Sequence, residues 1–235
     1  MGEVVRLAKP ARKGSKAAAK APRRRSRTAL VLGGGGFTGG VYEIGALRAL
    51  DLLAVNRTVN EFDVYVGTSA GSFVAALVAN GVTPEEMMRV VNRQVPTPFR
   101  DVDRGTLMRP NALEFIQSAA LLPLRMLGLA RTVVGQLRSM SLIDLSVGAA
   151  EALPSGLYDG GGIEQYLEAV LSDRERVNDF RLLESDLFLV ATDLDTCERV
   201  VLGDPDWDDV PISRAVAAST ALPMVYKPVD IRGRH

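Results

Sequence analysis

TALVLGGGG, residues 28–36, is an apolar run of strand length that ends in four consecutive glycines. Such a run suits a strand buried on both faces of a parallel sheet. Beyond Gly39 and Gly40 the chain continues VYEIGALRALDLL, where Val41, Ile44, Leu47, Ala49 and Leu50 recur at helical spacing. FDVYVG (62–67) reads as a second strand, and SAGSFVAALVAN (69–80) as a second, mostly buried helix. Strand, glycine turn, helix, strand, sharp turn and helix imply a right-handed crossover and a parallel sheet covered by helices. Further on, DLFLVATDL (186–194) has the texture of another buried strand, and VPISRAVAAS (210–219) starts a short helix stopped near Pro223. The predicted class is α/β with a mainly parallel central sheet. The sequence holds no internal repeat, and no stretch approaches the ~18 uncharged apolar residues of a membrane span.

Composition narrows the chemistry. The 235 residues are 47% hydrophobic, enough for a real core, with 28 basic and 28 acidic residues. A lone Cys197 excludes an intramolecular disulfide and a CxxC-type metal site. The single histidine is the last residue, His235, a poor place for a triad or a metal centre.

The zero net charge hides an asymmetry. Ten Lys and Arg lie between Arg6 and Arg27, against Glu3 alone among the first 27 residues. Residues 1–27 therefore read as a disordered basic tail, and 28–235 as the folded domain. The tail is either a solvated extension, an address, or a contact for polyanions such as anionic lipid, with no specific nucleic acid expected. No apolar segment follows its basic residues as in a secretory signal, and Pro10 and Pro22 argue against a mitochondrial one. The expected location is cytoplasmic, with peripheral membrane contact allowed.

Gly34, Gly36 and Gly39 form G-x-G-x-x-G between a strand and a helix, which is also the dinucleotide fingerprint. A dinucleotide site wants an acid at the end of the second strand, and FDVYVGTSAG puts a serine there instead. The glycines bring free N–H groups at a helix start close to a reacting atom. That arrangement serves an oxyanion, a phosphate, or tight packing alone.

The second motif bears on the choice. Gly67-Thr68-Ser69-Ala70-Gly71 is G-x-S-x-G between an apolar strand and an apolar helix, the setting of a nucleophile elbow. Small flanking residues let the chain turn sharply, so that Ser69 projects its hydroxyl at the helix N-terminus, where developing negative charge is stabilised.

GGGGFTGGVYEIGALRAL, GTSAGSFVAAL, ATDLDTCERVVL and AVAASTALPMVYKPVDIRGRH together resemble the patatin-like phospholipase family over nearly all of Thr28–His235. The resemblance implies a three-layer α/β/α lipid acyl hydrolase that uses a Ser/Asp dyad, needs no cofactor and acts on lipid or phospholipid esters. It makes Ser69 the nucleophile and the amides of Gly34, Gly35 and Gly36 the oxyanion hole. The family's catalytic aspartate lies in a D-G-[GA] motif two or three residues past the segment matched by PVDIRGRH, so the expectation is a chain cut just short of it. Asp159, in Asp159-Gly160-Gly161, is the substitute within these residues, although an aspartate before GIEQYLEAVL suits helix capping better. Asp193 and Asp195 read as turn residues. The family commonly places Arg or Lys where this chain has Thr38, so the backbone amides carry more of any oxyanion.

ALEFIQSAALLPLRMLGLARTVVGQLRSM (112–140) is Leu- and Ala-rich, with Arg131 and Arg138 close together on a helical wheel. It reads either as a cap on the sheet or as a cationic surface helix that meets an anionic membrane, and Pro123 breaks it. Beside the hydrolase stand two further classes: a catalytically incomplete relative that binds lipid or a partner, and a polyanion-binding protein governed by residues 6–27.

Overall fold

A computed structural model describes residues 26–92, 109–110 and 156–235. The chain runs β1 (Ala29–Leu32), α1 (Gly36–Leu53), β2 (Val64–Thr68), α2 (Ala70–Ala79), α3 (Pro84–Val91), β3 (Arg109–Pro110) and β4 (Gly156–Asp159). It continues α4 (Gly161–Leu171), β5 (Asp186–Thr192), β6 (Arg199–Leu202), α5 (Ile212–Thr220) and β7 (Met224–Tyr226). The basic residues 6–25 and the segment 112–140 lie outside the described residues.

The central sheet has the order β1–β2–β5–β6. β1, β2 and β5 are parallel, with Ala29 opposite Val64 and Val64 opposite Asp186, and β6 returns antiparallel to β5. The fold is α/β with a mainly parallel central sheet, as the sequence predicts. Period-two alternation sorts the side chains. Tyr65, Leu187, Leu189 and Leu202 are buried on one face, while Val66 and Phe188 on the other are half-buried and Val31 is 69% exposed.

α2 lies across β1, β2 and β5 and also meets α1 and α5. Its residues Val74–Val78 are all buried, so each large side chain among them contributes about 1.5–3 kcal/mol over exposure. Only a helix that is apolar almost all round tolerates this placement. α1 packs on α2 and α3 through Ile44 and Leu47. α3 begins with a capping box: the Glu86 amide donates to the Thr83 hydroxyl, and the Thr83 amide to the Glu86 carboxylate at 2.8 Å.

β3, β4 and β7 form a small second sheet, with β4 parallel to β7 and antiparallel to β3. Gly156 is required there, because a Cβ would stand 2.3 Å from the carbonyl carbon of Tyr226. Of the sequence-predicted elements, those that fall on described residues are present with shifted ends. DLFLVATDL ceases to be strand after Thr192, where Asp193 turns the chain. α1 starts at Gly36, earlier than the apolar periodicity suggests, since the first-turn amides of a helix have no intrahelical partner and glycine costs little there. No helix among the described residues is long and apolar enough to cross a membrane.

Candidate active site

β2 delivers the chain to Ser69 and α2 carries it away. Ser69 sits at φ 54°, ψ −123°, a conformation that side-chain-bearing residues rarely adopt. Glycines on both sides make the turn sterically possible. A Cβ on Gly67 would lie 2.6 Å from the Gly71 carbonyl oxygen, and one on Gly71 would lie 2.2 Å from the Gly33 carbonyl oxygen. The Gly71 contact seats the elbow against the end of β1. Ser69 occupies the N-cap position of α2 but makes no side-chain capping bond, so its hydroxyl is not spent on the helix.

The glycine loop after β1 faces this hydroxyl. A Cβ on Gly34 would meet Ser69 Cβ at 3.3 Å and Oγ at 3.9 Å. Gly35 at φ 143° and Gly36 at φ 60° take conformations open to glycine. The Gly39 amide and the Thr38 hydroxyl both donate to the Gly35 carbonyl, at 3.0 and 3.3 Å, closing the first turn of α1. Among the described residues the amides of Gly34, Gly35 and Gly36 have no hydrogen-bond partner. Free donors beside a hydroxyl at a helix N-terminus form an anion-stabilising pocket.

A cavity of about 340 Å³ opens beside Ser69. Val190, Ala218, Leu222, Pro223 and Trp207 make much of its wall, and Asp193, Arg234 and His235 also line it. The mixture of apolar wall and a few polar groups suits a ligand with an apolar part.

A family model described as patatin-like phospholipase matches residues 30–235. The chain belongs to the patatin-like phospholipase family. The uncharacterized protein YqhO of Bacillus subtilis is 25% identical over 206 residues, covering 83% of this chain and 59% of YqhO. Among solved structures, ExoU of the Pseudomonas aeruginosa type III secretion system, crystallised with SpcU, is 22% identical. That match covers 84% of this chain and 38% of ExoU, with a TM-score of 0.40. VipD of Legionella pneumophila is 17% identical, covering 88% of this chain and 45% of VipD, with a TM-score of 0.42. This chain thus spans less than two thirds of each of these three proteins.

Within the patatin-like domain, Ser69 and the glycine loop come together as the motifs suggest, and Asp159 does not join them. The Asp159 carboxylate is exposed, accepts the Gly161 amide at 3.0 Å at the start of α4, and does not line the cavity. Asp193 forms the expected turn, accepting the amides of Asp195 at 2.8 Å and Thr196 at 3.2 Å. It is also buried and paired with Arg234, whose Nε lies 2.6 Å from Oδ2. Burial pushes its carboxyl up, yet the amides of Thr196 and Asp195 together with Arg234 outweigh this and hold it below the usual carboxylate range. Among the described residues the Ser69 hydroxyl donates to no carboxylate.

Two residues at the patatin-like site escape a reading of motifs. Ser219, near the end of α5, accepts the Ser69 amide at 2.9 Å and donates to the Val190 carbonyl at 2.6 Å. Its sequence signal is weak, one of two adjacent hydroxyls that end the run AVAAST. Glu43 is buried in α1, and its Oε2 has no hydrogen-bond partner. Burial pushes this carboxyl up, while the Gly33 amide pulls the other way. Its place beside Ile44 and one turn before Leu47 is the signal that it lies on the packed face of α1.

Proposed function

We propose that this chain is a serine lipid acyl hydrolase that cleaves carboxylic esters of lipids or phospholipids through an acyl-enzyme. Ser69 Oγ attacks the ester carbonyl as its proton passes to an aspartate base. The amides of Gly34, Gly35 and Gly36 receive the oxyanion of the tetrahedral intermediate, helped by the N-terminus of α2. The alcohol leaves with the proton, and water then repeats the sequence on the acyl-enzyme. The reaction so written calls on no metal or organic cofactor. The apolar part of the cavity would take acyl chain, and residues 6–27 or 112–140 would meet an anionic lipid surface.

The observation that carries this reading is the serine hydroxyl, held at a strained elbow, facing partner-free amides beside an apolar cavity. A second reading, a catalytically incomplete domain that binds lipid or a partner through the same cleft, is favoured by the lack of a carboxylate partner for Ser69 among the described residues.

Treatment with a fluorophosphonate and intact-mass measurement separates the two. The hydrolase reading expects one adduct on the 235-residue chain and none on Ser69→Ala. A folded chain that takes up no adduct overturns it and leaves the binding domain. An adduct on Ser69 would place a base within these residues, and Asp159→Asn would then show whether Asp159 is that base.

A further inference from the structure

The amide and the carbonyl of Ser69 are both tied, but by different parts of the chain. The Ser69 carbonyl accepts the Ser72 hydroxyl at 2.6 Å and the Ser72 amide at 2.9 Å, local bonds within the first turn of α2. The Ser69 amide instead reaches Ser219, 150 residues away. A serine hydroxyl has one proton, and Ser219 commits it to the Val190 carbonyl at 2.6 Å. Its lone pairs therefore face the Ser69 amide, and the direction of both bonds is fixed. One hydroxyl thus joins three elements: the elbow, the end of β5 and the end of α5. It does so from a helix whose neighbouring residues Ala215, Val216 and Ala217 are small, apolar and buried.

We propose that Ser219 is the positioning residue of the elbow: its hydroxyl anchors the Ser69 amide to β5 and α5, holds the nucleophile against the glycine loop, and keeps that amide out of the oxyanion site. Three consequences follow from the geometry. With the Ser69 amide occupied, oxyanion donors come from Gly34, Gly35 and Gly36, whose amides have no hydrogen-bond partner among the described residues. A lost anchor lets the elbow relax away from φ 54°, which moves Oγ relative to those amides. Because Ser219, Val190 and Ser69 all line the same cavity, the anchor also fixes the wall beside the reacting carbonyl. The kinetic part of this proposal rests on the hydrolase reading above, whereas the anchoring itself does not.

The test uses the full chain with Ser219→Ala and Ser219→Thr, the second keeping a hydroxyl oxygen on the same carbon. Fluorophosphonate concentration series give a reversible affinity and a maximal rate of serine phosphonylation for each. Ser219→Ala is expected to lower the maximal rate by about 10–100-fold with affinity changed little, the pattern of a misplaced nucleophile. Ser219→Thr is expected to retain the rate within a few-fold. Phosphonylation of Ser219→Ala at the unaltered rate, or equal loss in both variants, overturns the kinetic role.

Amide hydrogen exchange at Ser69, followed by NMR, supplies a readout that needs no activity. Exchange there is expected to be protected in the original chain, at least ten-fold faster in Ser219→Ala, and largely restored in Ser219→Thr. Unchanged protection in Ser219→Ala overturns the anchor. A chain that is never labelled but shows accelerated exchange in Ser219→Ala refutes the hydrolase and leaves the anchor standing.

Discussion

Ser69→Gly should make this protein more stable while removing its candidate nucleophile. Ser69 sits at φ 54°, ψ −123°, where a residue with a Cβ carries strain of about 1–3 kcal/mol. Glycine adopts the same angles without that cost, though its freer unfolded chain takes back about 0.4–1 kcal/mol. No side-chain capping bond is lost with the hydroxyl. Ser69→Ala is the control, since it removes the hydroxyl and keeps the Cβ and the strain. The expected difference is about 1 kcal/mol in favour of glycine, or about 2–4 °C in Tm for a chain of this size. Paired thermal melts, checked by urea midpoints, measure it directly. A Ser69→Gly protein that melts at or below Ser69→Ala would refute the claim that the elbow stores strain, and with it the reasoning that the surrounding contacts hold it in place.

Gly71→Ala would drive a Cβ to 2.2 Å from the Gly33 carbonyl oxygen, a backbone atom that cannot rotate aside, so a loss of about 3 kcal/mol is expected. A urea midpoint equal to that of the unaltered chain would contradict the close approach of β1 and the elbow. Asp159→Ala should cost about 1 kcal/mol by freeing the Gly161 amide, and should leave any Ser69 labelling rate unchanged; a labelling defect in folded Asp159→Ala protein would restore Asp159 as a base. Glu43 binds its proton more tightly in the native state than in the unfolded chain, because burial pushes its pKa up. Its contribution is therefore greatest below the unfolded carboxylate value and falls as pH rises through the native one. Glu43→Gln keeps an oxygen for the Gly33 amide, so it should be more stable than the original at pH 7, with the gap closing toward about pH 4. Urea midpoints at the two pH values decide this, and a gap that widens on acidification would count against it.

The sheet and its helices were legible because each rests on a local pattern: the apolar run before Gly33, the same texture in FDVYVG and DLFLVATDL, and the continuous apolarity of α2. Ser69 and the glycine loop were legible because their motifs demand small residues at fixed offsets, and the same offsets place Gly67 and Gly71 where a Cβ would clash. Strand and helix ends were less so. The turn at Asp193 competes with strand continuation through side-chain bonds to the amides of Asp195 and Thr196, and periodicity does not register such bonds. The role of Ser219 was not legible. Its partner lies 150 residues away, and a serine that anchors a distant amide looks the same in sequence as one bonding its own helix. Thr220, its neighbour, does the latter, giving its hydroxyl to the Val216 carbonyl at 2.9 Å.

The site's position follows from topology before any residue identity is considered. β1, β2 and β5 are parallel, so the loops that follow them, carrying Gly33–Gly36, Ser69 and Asp193, all leave the same edge of the sheet. Open α/β sheets place their ligands at that edge. β6, antiparallel to β5, brings no loop of its own there, and residues 228–235 take up part of that space. The Leu194 amide donates to the His235 carbonyl at 2.7 Å, and Arg234 pairs with Asp193, so this segment forms one wall of the cavity beside Ser69. The Asp193–Arg234 pair therefore has a task distinct from proton transfer. A carboxylate already committed to two amides and a guanidinium, and held below its usual range, is a weak base. It does serve as a fixed post for the segment that closes the cavity, which argues for seeking the partner of Ser69 elsewhere than at Asp193.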